Sequence, residues 1–202
     1  MNYQMALASL EIKRDMESSA TQLDVAATSP RQSRGLPGWV VDNVNRNGGT
    51  LASYTASSGI GSARSAGTTR AFVESQLKDV LQKVYTAGGE PDYVMMAPAM
   101  KQTFSSFTGN ATRLDKSEDS KLYASVDFYV SDFGTIQAVP NRFQATTDVF
   151  VLQSDKLAFA YLRPFQTVDL AKTGDADRKE IIVEWTLECR APKAHGAIYD
   201  LA

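Results

Sequence analysis

The 202-residue chain is 43% hydrophobic and 22% charged, the proportions of a globular protein long enough to bury a substantial core. Its 21 basic and 23 acidic residues leave a net charge of −2, which is not the balance of a nucleic-acid-binding protein. One cysteine (Cys189) and one histidine (His195) exclude an internal disulfide and a cysteine zinc site, and they make a histidine-built metal centre or triad hard to assemble.

The longest apolar run, Val94 to Met100, is interrupted by Pro98 and is far below the roughly 20 residues of a membrane span. The first residues carry no basic stretch followed by an apolar one, so a secretory signal is not expected.

Residues 3 to 24 read as one helix. Met5, Ala8, Ile12, Met16 and Leu23 recur at helical spacing, and a second stripe of Tyr3, Leu7 and Leu10 lies beside them. A helix apolar on two sides near its start is expected between two layers, either as an ordinary amphipathic helix or as a long spine crossing a sheet.

Residues 25 to 69 are punctuated by Ser29-Pro30, Pro37-Gly38 and Gly48-Gly49. From Thr50 to Thr69, 16 of 20 residues are Ala, Ser, Gly or Thr, the composition of a long mobile loop, with Arg64 its expected first tryptic site. Across 25 to 70, Arg31, Arg34, Arg46, Arg64 and Arg70 face a single acid, Asp42, a local charge of +4. Either these arginines are solvated, or they face nucleic acid, or they meet an acidic neighbouring surface, for which Asp115, Glu118 and Asp119 are the candidates.

Residues 69 to 87 form the best-patterned helix, with Val73, Leu77, Val80, Leu81 and Val84 as its buried stripe. Thr68 or Thr69 would cap its start, and Gly88-Gly89 and Pro91 would end it. Tyr93 to Met96 is a short buried strand, and 98 to 107 a short helix opened by Pro98. Strands follow at Tyr123–Ser131, Gly134–Val139, Val149–Leu152 and Leu157–Leu162. Last comes 181 to 190, where Ile181, Val183, Trp185, Leu187 and Cys189 alternate with a mostly charged face.

Catalytic chemistry is hard to find. Gly59-Ile60-Gly61 with Gly67 lacks a preceding strand and a following Gly-Lys-Ser/Thr, so it is no phosphate loop. Cys189 reads as a buried, inert core thiol. Glu184 and Glu188 share a strand face about 13 Å apart, beyond the roughly 5–9.5 Å of a glycosidase pair. Asp175 and Asp177 are too few for a calcium loop. The aromatics from Phe104 to Phe165 read as core packing rather than as a stacking surface for bases. No catalytic residue, cofactor or metal ligand is assigned.

Several ordered stretches resemble a known family. They are Leu36 to Trp39 (LPGW), Gly88 to Phe107 (GGEPDYVMMAPAMKQTFSSF), Asp127 to Thr135 (DFYVSDFGT), Tyr161 to Gln166 (YLRPFQ), Leu170 to Asp175 (LAKTGD) and Glu184 to Glu188 (EWTLE). The set is similar to the major capsid (head) proteins of a group of tailed bacteriophages, over most of the chain.

The resemblance implies an α+β, Hong Kong 97-type coat fold. It places a spine helix at 1–24 and closing strands at about 165–202 in a peripheral lobe, and an axial lobe at about 25–164 with the 50–69 loop. It also implies a chain beginning almost inside the spine helix, without the family's N-terminal arm and projecting loop. The implied function is a self-assembling shell subunit of the virion, made in the bacterial host cytoplasm. The implied partners are copies of itself in pentamers and hexamers, portal and scaffolding or protease proteins, and DNA non-specifically at most, with no membrane. A small enzyme built on Cys189 or the acids, or a nucleic-acid-binding module built on the arginine loop, are the alternatives.

Overall fold

The computed structural model describes residues 2–53, 61–107, 128–171, 174 and 178–202. In chain order the elements are α1 (Asn2–Gln22), β1 (Ala27–Thr28), β2 (Arg31–Gln32), α2 (Leu36–Trp39), β3 (Asn43–Asn45), α3 (Glu74–Thr86), β4 (Tyr93–Met96) and α4 (Pro98–Ser105). They continue with β5 (Phe128–Ser131), β6 (Gly134–Pro140), β7 (Val149–Leu152), β8 (Leu157–Asp169), β9 (Lys179–Cys189) and β10 (Gly196–Ile198). The predicted residues 123–127 lie outside the described residues.

Among the described residues, six strands form one sheet in the order β3-β10-β7-β4-β6-β5. The β3–β10 and β4–β6 pairs are parallel and the rest antiparallel. Its centre is β7, whose four apolar residues are all buried because helices and loops cover both faces. Val149 and Val151 point to one core with Leu77, Val80, Leu81 and Val84 of α3 and Met100 and Phe104 of α4. Phe150 and Leu152 point to the other, with Leu36, Val40, Tyr199 and Leu187 of β9.

The α3 stripe is buried as the spacing predicts, with one correction. Val73 is 44% exposed. The helix starts at Glu74, where the Gln76 side chain accepts the Val73 N–H at 3.3 Å and donates to Ala71 O at 3.1 Å. Thr68 and Thr69 are therefore not its cap; the Thr68 N–H goes instead to Asn47 O. The other end follows expectation: Gly88 takes φ +86°, and the Gly89 N–H reaches back to Val84 O.

α1 departs from the sequence reading in its burial. Met16 and Ala20 are 8% and 5% exposed, whereas Tyr3, Leu7 and Leu10 are 76%, 44% and 50% exposed. Only the second half of the helix packs, against α2 and β9, so the second stripe is left in solvent. The helix stops at Gln22 because Gly35 and Gly38 bring the returning chain against its end. A Cβ on Gly35 would meet the Ser19 and Ala20 carbonyls at 2.7 Å.

β8 and β9 pair only with each other among the described residues, as a long antiparallel hairpin. β8 runs past Leu162 because register shifts around Arg163 accommodate Pro164 as a bulge. Residues 165–169 and 179–189 thus stay in the hairpin, while β10 leaves it and enters the six-stranded sheet. The closing segment expected at 165–202 is shared between two sheets.

Cys189 sits opposite Leu157 at the hairpin base and is half-buried rather than buried as expected. Burial pushes its thiol up to about 11. Labelling by a maleimide at pH 7 is therefore expected to run at least tenfold slower than in urea, which a mass-spectrometric time course measures.

Immediately before β10, His195 is 0% exposed, and its Nδ1 accepts the Gln153 N–H at 3.2 Å. Burial pushes the imidazole down to about 4, against a weaker opposing pull from Asp155 and Asp92. The unfolded chain binds this proton near pH 6.5 and the folded chain does not, so stability falls as pH drops from about 6.5 toward 4. The single histidine gives one imidazole resonance by NMR, which is expected to stay in its neutral position at pH 5.5.

Candidate inter-subunit surface

The structure gives the arginines of the basic segment different tasks. Arg64 faces inward. Its Nη1 and Nη2 donate to Asp148 Oδ1 and Oδ2 at 3.0 and 2.6 Å, its Nε lies 3.3 Å from Asp24 Oδ1, and the guanidinium stands 4.5 Å over the Tyr199 ring. Asp148 is 1% exposed. Burial works against the Arg64 charge, but the hydrogen bonds and charge of Asp148 outweigh it and raise the guanidinium above its ordinary value. Burial raises Asp24 despite the opposing pull of Arg64.

A fork-to-fork pair of this kind anchors the far arm of the loop to the residue preceding β7. The expectation that trypsin cuts first after Arg64 therefore does not fit its placement. Cleavage after the exposed Arg178 is expected to precede it, by mass spectrometry of a limited digest.

Arg34 is also buried, with its guanidinium 4.8 Å over Trp39. The exposed Arg46 donates to the Gly48 carbonyl at 2.9 Å and to the Gly49 carbonyl, stiffening its own turn. That turn is tied to the far arm of the loop through Asp200, which holds a left-handed φ of 63°. Its carboxylate accepts the Asn47 N–H at 2.9 Å and the Gly67 N–H at 2.7 Å. Arg70 donates to Asn45. Arg31, whose side chain is 72% exposed, reaches Glu184 Oε1 at 3.3 Å.

Asp115, Glu118 and Asp119 lie outside the described residues, as do Asp175, Asp177, Gly59 and Ile60. Glu184 also takes a bidentate bond from Arg163 at 2.9 and 2.6 Å, which lowers its carboxyl, and Glu188 pairs with Arg190 at 2.9 Å. These glutamates are matched to arginines and form no acid–base pair. No cluster among the described residues could hold a metal ion.

What the sequence did not show is the apolar surface of the hairpin. Phe159, Tyr161, Leu162, Phe165, Val168 and Leu170 are 37–73% exposed. Phe128, Val130 and Phe133, around the β5–β6 turn, are 39–47% exposed. The aromatic residues therefore divide. Phe104, Tyr129 and Phe150 are core, as expected, while those on β8 are not, because β8 extends beyond both cores. A two-stranded hairpin with apolar side chains and open edges is marginal alone and is built to be covered.

A spine helix, a long hairpin beside it and a mixed sheet carrying α3 and α4 define the class: a coat protein of the Hong Kong 97-like capsid fold. The same fold is found in the SrpI encapsulin of Synechococcus elongatus PCC 7942, in its holo complex. The TM-score is 0.54 at 16% identity, over 98% of this chain and 64% of that one. It is found again in the procapsid of satellite phage P4, described with its size determination protein, with TM-score 0.58 at 10% identity over 100% and 64% of the two chains.

The chain belongs to the SU10 major capsid protein family, whose model matches residues 1–202. It is 26% identical over 174 residues to the major capsid protein of Escherichia phage Phieco32, covering 83% of this chain and 49% of that protein. The chain thus spans about half the length of this curated relative. The family role is structural, as the ordered motifs implied.

Proposed function

We propose that this chain is a structural subunit of an icosahedral phage head and self-assembles into the shell that encloses the genome. The observation that carries the reading is the family match across residues 1–202, on a chain whose fold is that of shell-forming proteins. α1 and the β8–β9 hairpin act as the peripheral lobe, and the six-stranded sheet with α3 and α4, together with the loop at 50–69, as the axial lobe meeting neighbours around five- and six-fold axes.

Arg31 and Arg46 are the members of the basic set placed to meet a neighbour, with Asp115, Glu118 and Asp119 as partners across the ring. Arg34 and Arg64 act from within, holding the surface in shape. Portal and scaffolding or protease proteins, and packaged DNA held non-specifically, are the further partners, in a virion capsid assembled in the host cytoplasm.

Light scattering and negative-stain electron microscopy of the concentrated protein test the reading. Rings, sheets or shells are expected, and a protein that stays monomeric at every concentration overturns it.

A further inference from the structure

The turn that opens the small-residue loop carries the chain's one Asn-Gly pair, Asn47-Gly48. The turn is exposed, and Gly48 and Gly49 hold left-handed φ values of 94° and 63°. An asparagine amide is most open to attack by the next main-chain nitrogen when that nitrogen belongs to glycine, which has no side chain to shield it. Asn43, Asn45 and Asn141 are followed instead by Val44, Arg46 and Arg142, and Asn43 and Asn141 are buried.

Asn47 is also the clasp of the loop. Its N–H donates to Asp200 Oδ2 at 2.9 Å, its carbonyl accepts the Thr68 N–H at 2.9 Å, and its Nδ2 donates to the Thr68 carbonyl at 3.0 Å. These bonds join the two arms of the loop beside the Thr50–Ser65 bridge, where the Ser65 N–H reaches Thr50 O at 3.0 Å. Cyclisation draws the Asn47 Cγ onto the Gly48 nitrogen and releases Nδ2, so it takes the side chain off Thr68.

From this arrangement we propose that Asn47-Gly48 is a deamidation site gated by the clasp, and that reaction there unlocks the loop for good. The Gly48 nitrogen gives its proton to solvent and bonds to Asn47 Cγ. The Cγ–Nδ2 bond breaks and ammonia leaves, closing a succinimide. Water then opens the ring at either carbonyl, to aspartate or isoaspartate. Water enters, ammonia departs, and nothing is oxidised or reduced. The site is a property of the single chain and does not depend on assembly.

Both products undo the clasp. An aspartate puts a carboxylate oxygen where Nδ2 donates, against the Thr68 carbonyl. An isoaspartate adds a methylene to the main chain and turns the carbonyl that accepts the Thr68 N–H into a free carboxylate. That oxygen and Asp200 Oδ2 both crowd the point a Gly67 Cβ would occupy, so the new charge lands beside the Asp200 carboxylate, and like charges there repel.

The test incubates the full chain at 37 °C and pH 8, folded and in guanidinium chloride. Conversion is followed by peptide mapping and by a methyltransferase that marks isoaspartate. It is expected at Asn47 and not at Asn43, Asn45 or Asn141, and at least about tenfold slower folded than unfolded, because the arms must part first. Asp200→Asn tolerates the left-handed φ but gives up one acceptor, and is expected to raise the folded rate at least about threefold. Asn47→Asp is expected to quicken hydrogen exchange at the Thr50 and Ser65 amides, as is conversion of the parent.

Folded protein that converts as fast as the unfolded chain overturns the gate. Folded protein that never converts, even as Asp200→Asn, overturns the site. Converted protein whose Thr50 and Ser65 amides exchange at the parent rate overturns the unlocking.

Discussion

Replacing Arg64 by methionine is expected to destabilise the fold by about 3–5 kcal/mol, the cost of leaving a buried ion pair half-made. Asp148 is 1% exposed, and both its carboxylate oxygens are spent on the Arg64 fork, while Asp24 lies on the Nε side of the same guanidinium. Without the cation, the buried Asp148 carboxylate and the partly exposed Asp24 carboxylate are left facing each other. Burial already raises Asp24 against the opposing pull of Arg64, so without the cation the variant binds more protons folded than unfolded, and its stability should increase as pH falls from 7 toward 4.

Asp148→Asn should cost less than Arg64→Met, because Arg64 keeps Asp24. The double variant Arg64→Met/Asp148→Asn should recover part of the loss. Urea unfolding at pH 7 and pH 5 measures all of these. An Arg64→Met protein that unfolds at the parent midpoint would show that the loop is not anchored here.

Phe150→Ala is expected to cost about 3–5 kcal/mol, the range for an aromatic ring deleted from a closed core. Phe150 is fully buried at the centre of β7, where Met95 pairs with it on one side and Ala197 on the other. The ring meets Tyr199 edge-on at 6.1 Å and 81°, and the Tyr199 hydroxyl donates to Val40 O at 3.1 Å. Phe150→Leu keeps most of the volume and should cost under about 1.5 kcal/mol.

Arg64 stacks over the same Tyr199 ring, 4.5 Å from its centroid. Phe150→Ala and Arg64→Met should therefore be non-additive, with a coupling of at least about 0.5 kcal/mol in a double-mutant cycle. Strict additivity would show that Tyr199 does not transmit packing between the core and the ion pair.

These two sites differ in how far the sequence exposes them. Phe150 lies in a four-residue apolar run, and a buried strand there follows from composition and length. Arg64 lies in a run of small residues that carries no sign of an anchor. Its partners are 40 residues before it and 84 residues after it. No local pattern links them, and the composition by itself predicts an exposed loop.

By itself the sequence determined what local physics determines. The helical spacing of Leu77, Val80, Leu81 and Val84, the apolar runs at 93–96 and 149–152, and the glycines after Thr86 set elements whose bounds nearly match the structure. The ordered motifs were specific enough to reveal the capsid family. The tertiary structure decided what depends on long-range pairing. It placed Gly196–Ile198, too short to carry a periodic signal, between β3 and β7. It carried β8 through Pro164 by a bulge, turned Arg34 and Arg64 inward, and left one stripe of α1 and the face of β8 uncovered. Spacing shows which residues share a face, but whether that face is buried depends on which other elements, in this copy or the next, come to lie against it.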